Sequence, residues 1–241
     1  MSDGPILRAE DLDHSFGDVA VIDDVSVGVE AGAVTAIVGP NGSGKTTLLR
    51  LLAGLLTPTA GSVEYLGPDA EREIGYLPQR PTFRPGFTVY ETLAFYEALV
   101  GDAPGDRLEQ VGLPDAANRR VEALSGGMTR LLGVAQATVG DPPVVVLDEP
   151  GSGLDPGMRR RTFEVVTDLA SEGTGVVLSS HDPELVERTA DRVLVLDRGG
   201  VVADGSPEQL IEEYEVDSLW DVFEAAITGA AETVDVVGVP R

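Results

Sequence analysis

Lys45 is the only lysine in the chain, and sixteen arginines carry every other fixed cationic side chain. It sits in the run Gly39-Pro40-Asn41-Gly42-Ser43-Gly44-Lys45-Thr46-Thr47. An ammonium on a flexible stem can slide beneath a phosphate chain, where a planar guanidinium would collide with the backbone. Gly39, Gly42 and Gly44 let the chain curl until successive N–H groups point at one spot, and a helix starting there adds its partial positive charge. In that setting Lys45 reaches the β- and γ-phosphates of a nucleotide, and the Thr46 hydroxyl is placed to bind Mg²⁺. Pro40, Asn41, Ser43 and Thr47 complete the cradle. The plain alternative, a glycine-rich turn with no ligand, does not explain why every position of the motif is filled.

About a hundred residues later, "VVVLDEP" puts Asp148 and Glu149 at the end of an apolar run. Ligands of open α/β sheets bind at the carboxyl ends of strands. A cation there needs a carboxylate, which suits Asp148. A second carboxylate beside it can orient and deprotonate a water, which suits Glu149. Alone, a strand ending in Asp-Glu is usually solvated charge; paired with the loop, it reads as chemistry.

These groups need elements to hold them. "AVTAIVG" is a continuous apolar run of the kind a strand buried on both faces shows, and it leads through the loop into "TTLLRLLAGLL", apolar at helical spacing. "PILRAEDLDHSF" and "VAVIDDVSVGVEAG" read as short strands, as do "GSVEYLG" and "REIGYLPQ". From about Arg80 to Ala123 the pattern turns helical, with "TVYETLAFYEALVG" and "GDRLEQVGL" as two amphipathic helices separated by Pro104 and Gly105. Helix and strand then alternate to a hairpin-like "RVLVLDRGGVVADG". Such alternation predicts a mostly parallel sheet with helices on its faces. Residues 1–79 and 124–210 are expected to form the core and 80–123 an inserted helical subdomain. Residues 211–241 are expected to be a short helical appendage with a loose terminus.

With these residues in place the chain resembles the ATP-binding subunits of ABC transporters over roughly residues 5 to 210. "LSGGM", Leu124 to Met128, is similar to that family's LSGGQ signature. The resemblance implies an α/β fold: a P-loop NTPase core, an N-terminal antiparallel β region and a helical subdomain. It implies ATP and Mg²⁺ as ligands. Ser125, Gly126 and Gly127 would touch the γ-phosphate of a partner copy's ATP, through a helix N-terminus bearing glycine N–H groups. Read without the family, Ser125 is a helix N-cap. Gln79 in "GYLPQ" looks like the glutamine that contacts Mg²⁺ and signals to the membrane subunit. Asp155 in "GSGLD" looks like the aspartate at the dimer seam, His181 in "LSSHD" like the switch histidine, and Phe16 like the aromatic that stacks on adenine. The second histidine, His14, reads as a strand or surface residue. Met128 stands for the usual Gln, Leu131 for a frequent Arg (Arg130 is adjacent), and Gly151 for a frequent Thr.

The expected assembly is a homodimer sandwiching two ATP·Mg²⁺, joined to transmembrane permease subunits, with Phe83, Phe87, Phe95 and Tyr96 as candidates for the coupling groove. "SGGM", "LGVAQA" and "DSLWDVF" resemble exporter ATPases, and export is the expected direction; an importer ATPase is the alternative. An ABC-type ATPase acting on nucleic acid or the ribosome is disfavoured by the charge, 41 acidic against 17 basic residues and a net −24, which repels phosphate backbones. A binding-only regulatory cassette is disfavoured by the intact Lys45, Asp148, Glu149 and His181. The near-absence of lysine together with the acidic excess is similar to proteins of halophilic archaea. No run of eighteen apolar residues is present, and the first residues lack a secretory pattern. The expected location is the cytoplasmic face of the membrane, held there by the permease.

Overall fold

Leu7–Phe16 (β1) and Val19–Val29 (β2) form an antiparallel hairpin that turns at Gly17, and both strands lie within the stretches expected to form them. The computed structural model describes residues 4–101 and 106–234. Val34–Val38 (β3) leads through the glycine-rich loop into Lys45–Leu52 (α1), which ends before the expected "AGLL" because Gly54 takes a positive φ. Then come Ala60–Tyr65 (β4), Ile74–Leu77 (β5), Val89–Leu99 (α2), Arg107–Gln110 (α3) and Gly126–Ala137 (α4). Val144–Leu147 (β6), Pro156–Ser171 (α5), Gly175–Ser179 (β7) and Pro183–Thr189 (α6) follow. Arg192–Asp197 (β8), Gly200–Gly205 (β9), Pro207–Glu213 (α7) and Leu219–Val234 (α8) complete the order.

One sheet runs β2-β1-β4 and is antiparallel; the other runs β5-β6-β7-β3-β8-β9. The second sheet is parallel except at its β8–β9 edge. Its central strands β6, β7 and β3 are buried along their whole length because both faces are covered. Val34, Ala36 and Val38 of β3 face one core cluster with Val145, Leu147, Val176 and Leu178, while Ile37 faces the other with Val144, Val146 and Val177. The first cluster is covered by α2, α4 and α5, the second by α1 and the antiparallel sheet. Each such buried Val, Leu or Ile side chain contributes about 1.5–3 kcal/mol, so the strand ends that carry the chemistry are anchored in the core.

The helical region departs from expectation. α2 is capped as a Thr88–Glu91 box, but the second expected helix is the single turn α3, followed by 3₁₀ turns at Pro114–Ala116 and Val121–Ala123. Gly112 at φ 74° and Pro114 stop it, and Leu108, Val111 and Leu113 are buried without a longer helix. Pro104 and Gly105 lie outside the described residues. α4 packs on α2 and α3 and also on β5 and β6, so it bridges the helical region and the sheet. α7 crosses the division drawn after residue 210, and Leu210, Leu219, Val222 and Ala226 enter the main core cluster. Residues after Val234, where a loose terminus is expected, are also outside the described set. His14 lies on β1 as one of its two readings has it, but it is no surface residue: it is buried, with Nδ1 3.1 Å from the Thr57 carbonyl and its ring edge-on to Phe16.

Candidate nucleotide site

Strands β3, β5, β6 and β7 run parallel, so their carboxyl ends bring the loop at 39–47, Gln79, Asp148–Glu149 and Ser179–His181 to one edge. The loop's shape depends on two glycines. Gly44 sits at φ 109°, where a Cβ would also stand 2.7 Å from the Val21 carbonyl oxygen, and a Cβ on Gly39 would stand 2.2 Å from that of Leu196. The loop is tied to the end of β8, since Gly199 N–H donates to the Ser43 carbonyl at 3.0 Å.

A cleft of about 280 Å³ opens between Val21, Asn41, Gly42, Gly44, Lys45, Thr46, Thr47, Gln79 and Glu149. Lys45 is buried, and its Nζ donates to the carbonyls of Gly39 at 2.8 Å and Pro40 at 2.9 Å. An ammonium has three protons, so one remains for a ligand. Burial pushes the Lys45 pKa below its ordinary value; Glu149 and then Asp148 act against that. Ser43 is buried with its hydroxyl unpartnered.

Asp148 is 1% exposed. Its Oδ1 accepts from Ser179 Oγ at 2.9 Å and Thr46 Oγ1 at 3.2 Å, while Oδ2 is buried with no partner. A buried carboxylate oxygen left without a donor is costly, and a cation beside the Thr46 hydroxyl would satisfy it, so these residues fit Mg²⁺. Glu149 takes φ 50°, a left-handed conformation that costs a non-glycine residue about 1–3 kcal/mol. Its N–H donates to Ser179 Oγ at 2.9 Å. Its Oε2 accepts from Gln79 Nε2 at 3.1 Å, and its Oε1 contacts His181 Nε2.

Ser179 and Arg130 belong to the site although the sequence motifs do not single them out. The signal for Ser179 is its place as the last residue of the strand beside β6, one residue before the "SH" pair. Arg130 is a buried cation on α4, and its Nη1 donates to the Asp148 carbonyl at 3.3 Å. Burial lowers the Arg130 pKa, opposed by Glu149 and Asp148. Leu131, in the position of the frequent Arg, is buried in the core cluster instead.

Other sequence-derived candidates stand apart from the cleft lining. Phe16 is exposed next to Val19, with β2 contributing Val21 to the cleft. Ser125 and Gly126 lie outward and Gly127 is buried at the start of α4, where Ser125 Oγ accepts from Met128 N–H at 3.2 Å. Asp155 is exposed and caps α5, accepting from the N–H groups of Gly157 and Met158 at 3.0 Å each.

A family model described as ABC transporter matches residues 22–152, just over half of the 241-residue chain. The chain belongs to that ABC transporter family. Like its family it is an ATP-binding and ATP-hydrolysing cassette. Nod factor export ATP-binding protein I of Ralstonia nicotianae is 38% identical over 222 residues, covering 86% of this chain and 69% of that protein. Among solved structures, the ATP-binding subunit of an ABC transporter matches at TM-score 0.83 and 25% identity, over 92% of this chain and 99% of that one. CbiO1 of Clostridium perfringens, part of the ABC transporter complex cbiONQ, matches at TM-score 0.76 and 27% identity, over 88% and 93%. The ABC cassette thus has the expected α/β P-loop fold, with its antiparallel sheet and helices.

Proposed function

We propose that this cassette powers an export-type ABC transporter, and that two copies close face to face on two ATP·Mg²⁺. The observation that carries the dimer is the incompleteness of the cleft: Ser125, Gly126 and Gly127 do not line it, although they form a capped helix start suited to phosphate. In a face-to-face pair each copy lends that turn to the other's nucleotide. Closure then follows from contacts made only in the closed state.

Within each cleft the loop 39–47 holds the phosphates, with Lys45 offering its remaining proton to the β- and γ-phosphates. Thr46, Asp148 and Gln79 would hold Mg²⁺, which when bound supplies positive charge against the phosphate oxygens. Glu149 is the general base for the attacking water, and His181 positions it and faces the γ-phosphate. Asp155 lies at the dimer seam, and Phe16 stacks on the adenine. Arg130 supports the Asp148–Glu149 turn from behind.

Among the described residues no helix is long and apolar enough to cross a membrane; in this reading partner permease subunits supply the pore and hold the cassette at the cytoplasmic face. The helical region offers a docking patch. Phe95 is exposed and edge-on to Phe87 at 6.3 Å, and Arg84 lies 4.9 Å from the Phe87 ring centroid. Phe83 and Tyr96 pack against the core cluster and serve it instead. Export is favoured by the names of the similar Nod factor export proteins. The acidic, lysine-poor surface supports an origin in a halophilic archaeon.

The test is Glu149→Gln. Turnover should fall roughly 10²–10⁴-fold, the usual worth of a general base, with ATP binding retained. Wild-type turnover in that variant would refute the role.

A further inference from the structure

Two loops frame the far side of Glu149. One runs from Gly151 to Asp155; the other holds Ser180, His181 and Asp182. Between them lies a second cavity of about 190 Å³, lined by Glu149 and His181 and by Arg159 of α5. Arg159 touches both loops. Its Nη1 donates to Asp182 Oδ2 at 2.9 Å and its Nη2 to the Leu154 carbonyl at 3.3 Å.

We propose that Arg159 is a positioning residue for hydrolysis, a guanidinium bridge that fixes the spacing of the two loops and so keeps His181 on Glu149. The proposal rests on the reading of Glu149 and His181 given above. Four observations carry it. First, among the described residues the Ser180 hydrogen bonds of the His181 loop run to β3 and within the loop: Ser180 N–H donates to the Ile37 carbonyl at 3.2 Å, and Ser180 Oγ accepts from Asp182 N–H at 3.0 Å. Arg159 supplies the anchor on the other side. Second, Asp182 divides its carboxylate between two tasks, with Oδ1 accepting from Leu185 N–H at 3.2 Å to cap α6 and Oδ2 held by Arg159. The bridge therefore fixes the first turn of α6 as well as the loop.

Third, the bridge is poorly explained as a stabilising feature. Arg159 and Asp182 side chains are 37% and 30% exposed, a setting in which an ion pair adds little stability. Arg159 Nε is also buried with no hydrogen-bond partner, which counts against stability. A costly arginine held in place beside the reacting groups is explained by position. Fourth, the chain makes room for it. A Cβ on Gly151 would stand 3.2 Å from Arg159 Cγ and 3.1 Å from Phe163 Cε2. The glycine that stands for a frequent threonine after "DEP" thus leaves space against which the arginine stem packs.

The experiment is a double-mutant cycle on ATP turnover in the full chain, with Arg159→Met and Asp182→Asn. Asparagine can still cap α6, so its effect isolates the bridge. Each single variant should lose roughly 10-fold to 100-fold in kcat, the scale of an ångström-sized misplacement, at unchanged KM for ATP, and the double variant should lose no more than the worse single. Arg159→Lys should recover part of the loss by keeping charge and stem. Because the chain has only two histidines, the His181 imidazole resonance can be followed directly, and it should shift in both single variants while that of His14 stays. Unchanged kcat in the singles, or losses that multiply in the double, would overturn the proposal. Failure of the general-base reading would show separately, as normal turnover in Glu149→Gln whatever the Arg159 variants do.

Discussion

At Lys45 the geometry answers why one position stays lysine. The ammonium commits two protons to the Gly39 and Pro40 carbonyls of its own loop and keeps one for the ligand. A planar guanidinium is bulkier than the compact ammonium that the loop encloses, so Lys45→Arg should weaken nucleotide binding, read by calorimetry. Proton linkage gives a second check. Burial lowers the Lys45 pKa in the empty cleft, and a triphosphate would raise it again. Between those values, in a window reaching below 10.5, binding takes up protons, so ATP affinity should fall as pH climbs through it. The empty protein should move the other way. A base with a lowered folded value releases protons on folding, so stability from this group rises with pH there. The loop, Asp148 and Glu149 are legible in the sequence because each is a fixed chemical type at a strand end. Ser179 and Arg130 are not, because their roles depend on which strand and helix lie beside β6, and that is set by topology.

Helix starts do much of the positioning at the next scale. Ser125 caps α4, Asp155 caps α5 and Asp182 caps α6. The capping and phosphate readings of Ser125 are compatible: the cap uses an oxygen lone pair, and the hydroxyl proton remains free to donate. Ser125→Ala should cost about 1 kcal/mol of stability and weaken ATP-driven dimerisation. Ser125→Asp separates the two, since aspartate caps well but repels a phosphate. Its melting temperature should match wild type while dimerisation is lost; retained dimerisation would confine Ser125 to the cap. The strand sequence is readable from apolar runs, and α2 from its periodicity and cap. The length of α3 is not, because Leu108 and Val111 have helical spacing yet are buried, with Leu113, by a turn that Gly112 and Pro114 redirect.

For the whole molecule the largest influence outside the core is charge, a net −24. Self-repulsion of this size weakens a compact state in dilute buffer, and salt screens it. Melting should rise between dilute buffer and molar KCl, by roughly 2–4 °C for each kcal/mol of repulsion relieved. Exposed pairs such as Arg160–Glu164 and Arg188–Glu184 weaken in the same salt, so a net rise isolates the repulsion, and an unchanged melting temperature would count against it. The cassette's cleft, on this account, is finished by a second copy. The direct measurement is the mass and nucleotide content of Glu149→Gln in ATP, Mg²⁺ and molar KCl, by light scattering and chromatography of the released nucleotide. The account predicts a dimer that keeps two ATP per pair; a monomer that retains none would contradict it.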